Sequence, residues 1–209
     1  MIAAARSPRT VIQCGVRIAA VVLAAGRGRR AGGPKASLRM GAATFLERAV
    51  SLLARPGVER VVVVLGHDAP RVRAQATLPA TVTIVVNEGY GDGMLGSVVA
   101  GLDAAEADGA DAVLLHPVDH PLVDGATVDR VVEALRAGAL VAVPSYGGRR
   151  GHPGGFARGA WHALRSAPPS EGARFVLASH PEWIVHVEGD PGCVAGVDTP
   201  EDYRRLIGG

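Results

Sequence analysis

One apolar run followed by a glycine-rich loop constrains the fold of this chain more than any other stretch. Residues 18–25 carry no charge, and residues 26–35 then supply four glycines, three arginines and Lys35. A continuous apolar run that ends at glycine is typical of a strand buried on both faces of a parallel sheet. Glycines let backbone N–H groups approach a ligand, and the cations offer charge-assisted hydrogen bonds to phosphate. The loop therefore predicts a triphosphate-binding site.

The same loop also fits the G-x-G-x-x-A pattern of dinucleotide-binding folds, through Gly26, Gly28 and Ala31. In those folds the last position lies in the first turns of a helix. Here residues 32–34, Gly-Gly-Pro, follow and disfavour a helix. The acidic partner of the ribose, expected about 20 residues on, is also missing, because the first acid after the loop is Glu47 in a predicted helix. A nicotinamide-dependent oxidoreductase and a plain surface loop with solvated arginines are the alternative interpretations.

The loop has the form L-A-A-G-x-x-x-R-x-G-x-x-K, and it resembles the loop of the MobA/MocA-type nucleotidyltransferases. Those enzymes build molybdenum cofactor dinucleotides and share their fold with sugar-nucleotide pyrophosphorylases. The resemblance implies a nucleotide-binding set that consists of Leu23, Ala24, Ala25, Gly26, Arg27, Gly28, Arg30 and Lys35. Within it, Lys35 and Arg27 are the candidate catalytic cations, since they can neutralise the triphosphate and the charge that develops during transfer.

Strand-like and helix-like segments alternate along the rest of the chain. After the first run, strands are predicted at 61–65, 82–86, 112–115, 140–143, 183–187 and 193–197. Thr44 with Glu47 forms a capping box, and Asp68 is a predicted helix cap. Thr199 before Pro200 predicts the start of the last helix. This alternation predicts a three-layer α/β/α, doubly wound, mostly parallel sheet; the resemblance implies a nucleotide-diphospho-sugar transferase-like fold.

Length and composition exclude several classes. A chain of 209 residues suits a single domain, predicted at 16–209, with residues 1–15 as a flexible N-terminal extension. A net charge of +2 does not indicate a nucleic-acid-binding protein. No apolar run reaches the ~18 residues of a membrane span, so no membrane association is predicted. The two cysteines offer neither a disulfide framework nor metal-ligand spacing, which predicts a cytoplasmic protein.

Two carboxylates at predicted strand ends are candidate metal ligands. Asp119 follows the 112–115 strand between two prolines, and Mg²⁺ is commonly held by one or two carboxylates together with phosphate oxygens. Asp119 alternatively only caps a turn. The segment Val-Asp-His-Pro matches a family pattern in which a strand-end Asp coordinates the metal, although His120 replaces the usual amide or Met. Asp198 lies in a segment similar to the family's D-x-D-T-P-E-D ending, with Gly196 in place of the first Asp, and either binds metal or caps the last helix.

A second glycine-rich loop follows the predicted strand at 82–86. Asn87 offers both donors and acceptors, and the glycines leave room for a flat base. Gly93, Met94 and Ser97 preserve the Gly-Met-x-x-Ser pattern with which the family binds nucleotide. Ser97 alternatively caps the following helix. Asn87, Gly93 and Ser97 are therefore candidate nucleotide-binding residues.

Two further segments resemble those of the molybdenum cofactor cytidylyltransferases. Residues 149–153 match R-x-G-H-P, and residues 172–174 match G-A-R. The resemblance places them in the half of the protein that receives the second substrate. Arg150, His152 and Arg174 are therefore candidate ligands of an acceptor phosphate.

The sequence as a whole predicts a Mg²⁺-dependent nucleotidyltransferase. By resemblance the nucleotide is CTP, because L-A-A-G accompanies cytidine and L-A-G-G guanine, and the acceptor is phosphorylated, with molybdopterin favoured. A molybdoenzyme is a possible protein partner. The alternatives are a guanylyltransferase or a sugar- or polyol-phosphate nucleotidyltransferase, a NAD-dependent oxidoreductase, and a non-catalytic nucleotide- or cofactor-binding protein. No nucleophile–base pair is recognisable, so a covalent mechanism is not expected.

Overall fold

One mixed sheet forms the centre of the computed structural model, which describes residues 15–28 and 33–208. Its strands are β1 (Ile18–Ala24), β4 (Arg60–Leu65), β5 (Thr83–Val86), β6 (Ala112–Pro117), β7 (Val141–Tyr146), β8 (Arg149–Arg150), β9 (Gly154–Ala157) and β10 (Ile184–Glu188). Two short strands, β2 (Arg39–Met40) and β3 (Ala43–Thr44), pair separately. The strand order is β10-β7-β9-β6-β1-β4-β5, with β8 paired to β7. Strands β8 and β9 are antiparallel to their neighbours and the other pairs in the sheet are parallel.

Helices cover both faces of this sheet. They are α1 (Phe45–Leu53), α2 (Ala69–Gln75), α3 (Met94–Ala107), α4 (Gly125–Arg136), α5 (Trp161–Arg165), α6 (Ala173–Ser179) and α7 (Pro200–Ile207). One apolar core joins the sheet to α1, α2, α4 and α7, and the other joins it to α3, α5 and α6. Alternate residues of β1 enter opposite cores, as in a strand buried on both faces. The predicted three-layer, mostly parallel α/β/α fold is confirmed.

Local signals set the helix boundaries. The capping box of Thr44 and Glu47 forms at the start of α1, with the Thr44 Oγ1 accepting from the Glu47 N–H at 3.1 Å. A second box at α7 joins Thr199 to Asp202, with Pro200 in the first turn. Buried aliphatic residues on one face of each longer helix then fix it against the sheet.

Sheet topology positions the ligand-binding edge. The chain runs from β1 outward through β4 and β5 and then returns to place β6 on the other side of β1. Ligands on such sheets bind beyond the carboxyl ends of strands where the winding direction reverses. That point lies between β1 and β6, so it joins the glycine loop after Ala24 to the turn that contains Asp119.

Two sequence predictions about local structure are wrong, and a third is confirmed only in position. Residues 193–197 do not form a strand, because Pro191–Val194 is a short 3-10 helix. Asp68 is the N-cap residue of α2, with Pro70 in the first turn, but its φ of 54° is left-handed and its side chain makes no capping hydrogen bond. Helix α3 begins at Met94, so Ser97 lies inside it and does not cap it. The predicted extension lies outside the described residues except for the exposed Gly15, and the single domain at 16–209 stays a prediction.

No helix among residues 15–28 and 33–208 is long and apolar enough to cross a membrane.

Candidate active site

The loop after β1 folds back on itself at its glycines. Gly28 has φ of +59°, and a Cβ there would lie 1.8 Å from the Gly33 carbonyl oxygen. The Gly33 N–H donates to the Gly28 carbonyl at 3.2 Å, which closes the loop before Lys35. Only glycine fits such a position. Among the residues of this loop, Arg30 lies outside the described ranges, so its predicted role stays a prediction.

A cleft of about 440 Å³ opens beside this loop. Its walls include most of the predicted nucleotide-binding residues, namely Leu23, Ala24, Ala25, Gly26, Gly28, Lys35, Gly93 and Ser97. Asp119 and Asp198 also line it. Residues from four distant parts of the sequence thus converge at the carboxyl edge of the sheet.

Lys35 lies at the centre of the charges in this cleft. Its ammonium donates to Asp119 Oδ2 at 2.8 Å and to Asp198 Oδ1 at 2.6 Å. The Lys35 side chain is 16% exposed, the Asp119 side chain 23% and the Asp198 side chain 54%. Burial alone would lower the pKa of Lys35, but the hydrogen bonds to the two carboxylates outweigh burial and raise that pKa above its ordinary value.

Asp119 is held ionised by its neighbours. Burial favours the neutral carboxyl, yet hydrogen bonds from His120 and Lys35 prevail and hold the pKa of Asp119 well below its usual range. Its backbone is fixed as well, because the Asp119 carbonyl accepts from the Val197 N–H at 2.9 Å. This bond ties the turn after β6 to the segment that carries Asp198, which explains why the two carboxylates meet.

The donor set fits a divalent cation that arrives with phosphate. Two carboxylate oxygens already surround one positive charge, the Lys35 ammonium. Among the described residues no group of three or more His, Cys, Asp or Glu side chains could hold a metal ion. Mg²⁺ typically takes one or two carboxylates and completes its shell with water and substrate phosphates. Asp119 and Asp198 would hold such an ion.

The second glycine-rich loop is braced by Asn87. The Asn87 Nδ2 donates to the Ser97 Oγ at 3.0 Å, and the Gly89 N–H donates to the Asn87 Oδ1 at 3.0 Å. Gly93 has φ of +127°, and a Cβ there would lie 2.5 Å from the Pro169 carbonyl oxygen. Asn87 therefore shapes the loop, while Gly93 and Ser97 reach the cleft wall.

Tyr90 is a cleft residue that the sequence predictions missed. It lines the cleft, and the Arg27 guanidinium lies 5.3 Å from the centre of its ring. The Tyr90 hydroxyl is 3.2 Å from His67 Nδ1. Arg27 is exposed beside this ring and does not contact Lys35 or Asp119 through any hydrogen bond in the described residues. A lone aromatic within a run of glycines and acids was the signal that could have identified Tyr90.

A second cavity of about 450 Å³ adjoins the cleft and shares Leu23, Met94 and Pro117 with it. All three predicted acceptor residues line this cavity, namely Arg150, His152 and Arg174. The Arg150 Nη1 donates to the Leu177 carbonyl at 3.1 Å, whereas Arg174 is exposed at the cavity wall. The remaining walls are mainly apolar: Leu23, Met94, Val98, Leu115, Pro117, Val143, Phe156 and Leu177.

Two further histidines, His116 and His152, lie near His120. The His120 and His152 rings meet edge to face, with centroids 4.5 Å apart. Burial and the charge of His120 lower the pKa of His152 to about 4. His116 is wholly buried, and both its ring nitrogens lack a hydrogen-bond partner among the described residues. Burial, with His152 and His120 nearby, lowers the pKa of His116 to about 3, so both rings are neutral at pH 7.

Comparison with known proteins identifies a family and several relatives of this chain. A family model described as the MobA-like NTP transferase domain matches residues 20–183. The nicotine blue oxidoreductase of Paenarthrobacter nicotinovorans is 36% identical over 201 residues, which cover 91% of this chain and 96% of that relative. The 2-C-methyl-D-erythritol 4-phosphate cytidylyltransferase of Rhodococcus jostii is 40% identical over 130 residues. That alignment covers 61% of this chain and 55% of the cytidylyltransferase, so the chain spans about half its length.

Two solved structures also align over nearly the whole length of both chains. Rv0371c from Mycobacterium tuberculosis aligns with a TM-score of 0.78 and 30% identity, over 93% of this chain and 99% of that chain. A second structure, Rv0371c in complex with manganese, aligns with a TM-score of 0.73 and 29% identity, over 93% of this chain and all of the other.

Proposed function

The chain belongs to the MobA-like NTP transferase domain family, and on that premise we propose that it transfers CMP from CTP to a phosphorylated acceptor, with Mg²⁺ as cofactor and pyrophosphate as leaving group. Family membership confirms the predicted class, a nucleotidyltransferase. The observation that carries the finer proposal is the Lys35 ammonium held between Asp119 and Asp198 inside a cleft walled by the glycine loop.

The cleft residues divide the work of transfer. The backbone of the glycine loop binds the triphosphate, and Lys35 neutralises it once the ammonium turns from the carboxylates to the phosphates. Asp119 and Asp198 would hold the metal ion, which would supply Lewis-acid stabilisation of the charge on the phosphates. The acceptor phosphate oxygen attacks the α-phosphorus in line, a new P–O bond forms, and the bond to pyrophosphate breaks. Arg27 belongs to the same loop and packs on the Tyr90 ring, and its guanidinium would assist in binding the leaving group.

The adjoining cavity supports an acceptor with a ring system and one phosphate. Besides Arg150, His152 and Arg174, only Ser170 and Glu171 bring polar side chains to this cavity among the described residues. A hydroxyl buried against the apolar walls without a partner costs about 1–3 kcal/mol. A polyol phosphate would carry several such hydroxyls, whereas a planar pterin buries its faces against Phe156 and Leu177. Arg174 and His152 both line the cavity and would bind the phosphate. Molybdopterin is therefore the favoured acceptor, and a cytoplasmic molybdoenzyme is the partner that would receive the product.

A second candidate function is oxidoreduction, because a relative aligned over 91% of this chain is named nicotine blue oxidoreductase. In the dinucleotide-binding pattern a helix begins directly at the glycine loop. The residues described after the loop form instead a short 3-10 helix, Lys35–Ser37, and the next α-helix starts only at Phe45. NAD or NADP binding would support this second candidate.

Ligand-dependent unfolding distinguishes the candidates. Thermal stability is measured with CTP, GTP, ATP, UTP and NAD, each with and without Mg²⁺; a ligand at 100 times its Kd stabilises by about 2.7 kcal/mol. We expect the largest Mg²⁺-dependent shift with CTP. The Asp119→Asn variant should lose the Mg²⁺-dependent part, and the matched control Asp129→Asn, which does not line the cleft, should keep it. A shift with NAD alone, or with no nucleotide, would refute nucleotidyl transfer.

A further inference from the structure

His120 lies in a slot between three neighbours. Its Nδ1 is 3.0 Å from Asp119 Oδ1. Its ring packs against the His152 ring, with centroids 4.5 Å apart and an angle of 67° between the planes. On the other side is Gly196, where a Cβ would lie 3.2 Å from His120 Cε1 and 3.4 Å from Nε2. A side chain at position 196 would crowd the His120 ring. Because residue 196 is glycine, the ring has room there.

The direction of the hydrogen bond follows from the charge of Asp119. An ionised carboxylate can only accept, so His120 Nδ1 must carry the proton and donate it. The two carboxylate oxygens are then held separately, Oδ1 by His120 and Oδ2 by Lys35. Among the described residues no other side chain donates to Asp119, so His120 alone retains it when Lys35 turns to a phosphate.

The ring contact extends this restraint to the acceptor side. His152 lines the adjoining cavity, and its backbone N–H donates to the Cys193 carbonyl at 2.9 Å. His120 therefore packs against a residue of the acceptor cavity, while its Nδ1 contacts Asp119, which lines the nucleotide cleft. One imidazole connects the two halves of the site.

We propose that His120 is a positioning residue that fixes the Asp119 carboxylate in its metal-binding orientation by donating from Nδ1. This inference rests on the proposed metal role of Asp119. Removal of a residue that hydrogen-bonds to a metal ligand typically weakens metal affinity by about 10–100-fold. The ring contact with His152 holds the donor in place, but it does not itself bind the metal.

Two variants separate the hydrogen bond from the ring. His120→Asn keeps an N–H donor near the Nδ1 position and removes the ring. His120→Phe keeps a ring against His152 and removes the donor. Mn²⁺ binding to each full-length protein is measured by electron paramagnetic resonance with a non-hydrolysable α,β-methylene CTP analogue, so the readout is binding and not turnover. We expect the Phe variant to bind Mn²⁺ at least about tenfold more weakly than wild type, and the Asn variant to stay within about threefold.

Equal binding in wild type and the Phe variant would overturn the proposal, and so would equal weakening in both variants, since the ring would then be the determinant. A second readout does not depend on nucleotide. Long-range ¹H–¹⁵N spectra of the free protein report which ring nitrogen of His120 is protonated, and we expect Nδ1. If no form bound Mn²⁺ with the analogue, the proposed metal role of Asp119 would fail and this inference would fail with it. If wild type bound Mn²⁺ but Nδ1 of His120 carried no proton, this inference alone would be refuted.

Discussion

Replacing Lys35 by Met should make the cleft bind a divalent metal more tightly in the absence of nucleotide. In the wild-type protein the ammonium sits between Asp119 and Asp198, at 2.8 and 2.6 Å from their oxygens. A metal ion that uses the same carboxylates must first displace it. Methionine has a similar length and no charge, so the Lys35→Met variant removes the ammonium from between the two carboxylates.

The magnitude follows from the exposure of each partner. The hydrogen bond to Asp119, whose side chain is 23% exposed, joins charged groups and contributes about 2 kcal/mol. Asp198 is 54% exposed, so its bond counts as a surface pair of about 0.5 kcal/mol. The variant should therefore lose roughly 2.5 kcal/mol of stability, a decrease in Tm of roughly 5–10 °C for a chain of this size. A free-energy difference of about 1.4 kcal/mol corresponds to a tenfold change in affinity. Displacing the ammonium at a cost of roughly 2.5 kcal/mol therefore makes metal binding to wild type roughly 60-fold weaker than metal binding to the variant.

The pH dependence has a definite sign. Asp119 has a lowered pKa in the folded protein, so its stabilisation is present above the unfolded value of about 3.9 and is lost as pH falls through the lower folded value. Lys35 has a raised pKa, so its stabilisation is complete below about 10.4 and is lost as pH rises through the folded value. The stability difference between wild type and variant should be constant from pH ~5 to ~10 and should shrink below pH ~4.

The assay is thermal unfolding with increasing Mn²⁺ and without nucleotide. We expect a larger metal-induced rise in Tm for Lys35→Met than for wild type. Arg55→Met is the matched control, because it removes a comparable ion pair, to Asp129 at 2.6 Å, away from the cleft. It should lower stability and leave the metal response unchanged. A metal response in Lys35→Met no larger than in wild type would refute the competition between ammonium and metal.

Other changes test the core, the second glycine-rich loop and the acceptor cavity. Gly101→Ala should destabilise by about 1–3 kcal/mol in urea, because the new Cβ would lie 2.3 Å from Val21 Cγ1; a loss below about 0.5 kcal/mol would contradict the packing. Asn87→Ala should weaken CTP binding in calorimetry by roughly tenfold, because the uncharged Asn87 side chain makes two hydrogen bonds that hold the loop. An unchanged affinity would argue against that role. Arg174→Ala should raise the KM of the phosphorylated acceptor and leave the Kd of CTP unchanged, whereas Arg149→Ala, outside the cavity lining, should change neither; equal effects would remove Arg174 from the acceptor site.

Much of this fold could be predicted because its signals are local. The apolar run of β1, the capping box at Thr44 and the Thr199-Pro200 start each act within a few residues of sequence. The glycine loop was also readable, because Gly28 is required by a carbonyl only five residues away. Such signals do not depend on the rest of the chain.

The unpredicted parts depend on tertiary contacts. Strand β9 begins with two glycines, which disfavour strands, yet Gly155 fits there because a Cβ would lie 2.8 Å from Val131 and 2.9 Å from Leu135 of α4. Only helix packing makes glycine the suitable residue. Residues 193–197 looked like a strand because they are largely apolar, but Cys193 and Val197 are buried as part of a loop that docks on the turn at Asp119.

The bridging ammonium also makes the site chemically addressable, because Lys35 is the only lysine in the chain. Reductive methylation with ¹³C-formaldehyde would place one ε-dimethylamino signal in the whole protein, besides that of the terminal amine. That signal would report the Lys35 environment directly: one position between the two carboxylates and another beside a triphosphate. Titration with metal and nucleotide, separately and together, would then give the order in which they enter the cleft from a single resonance.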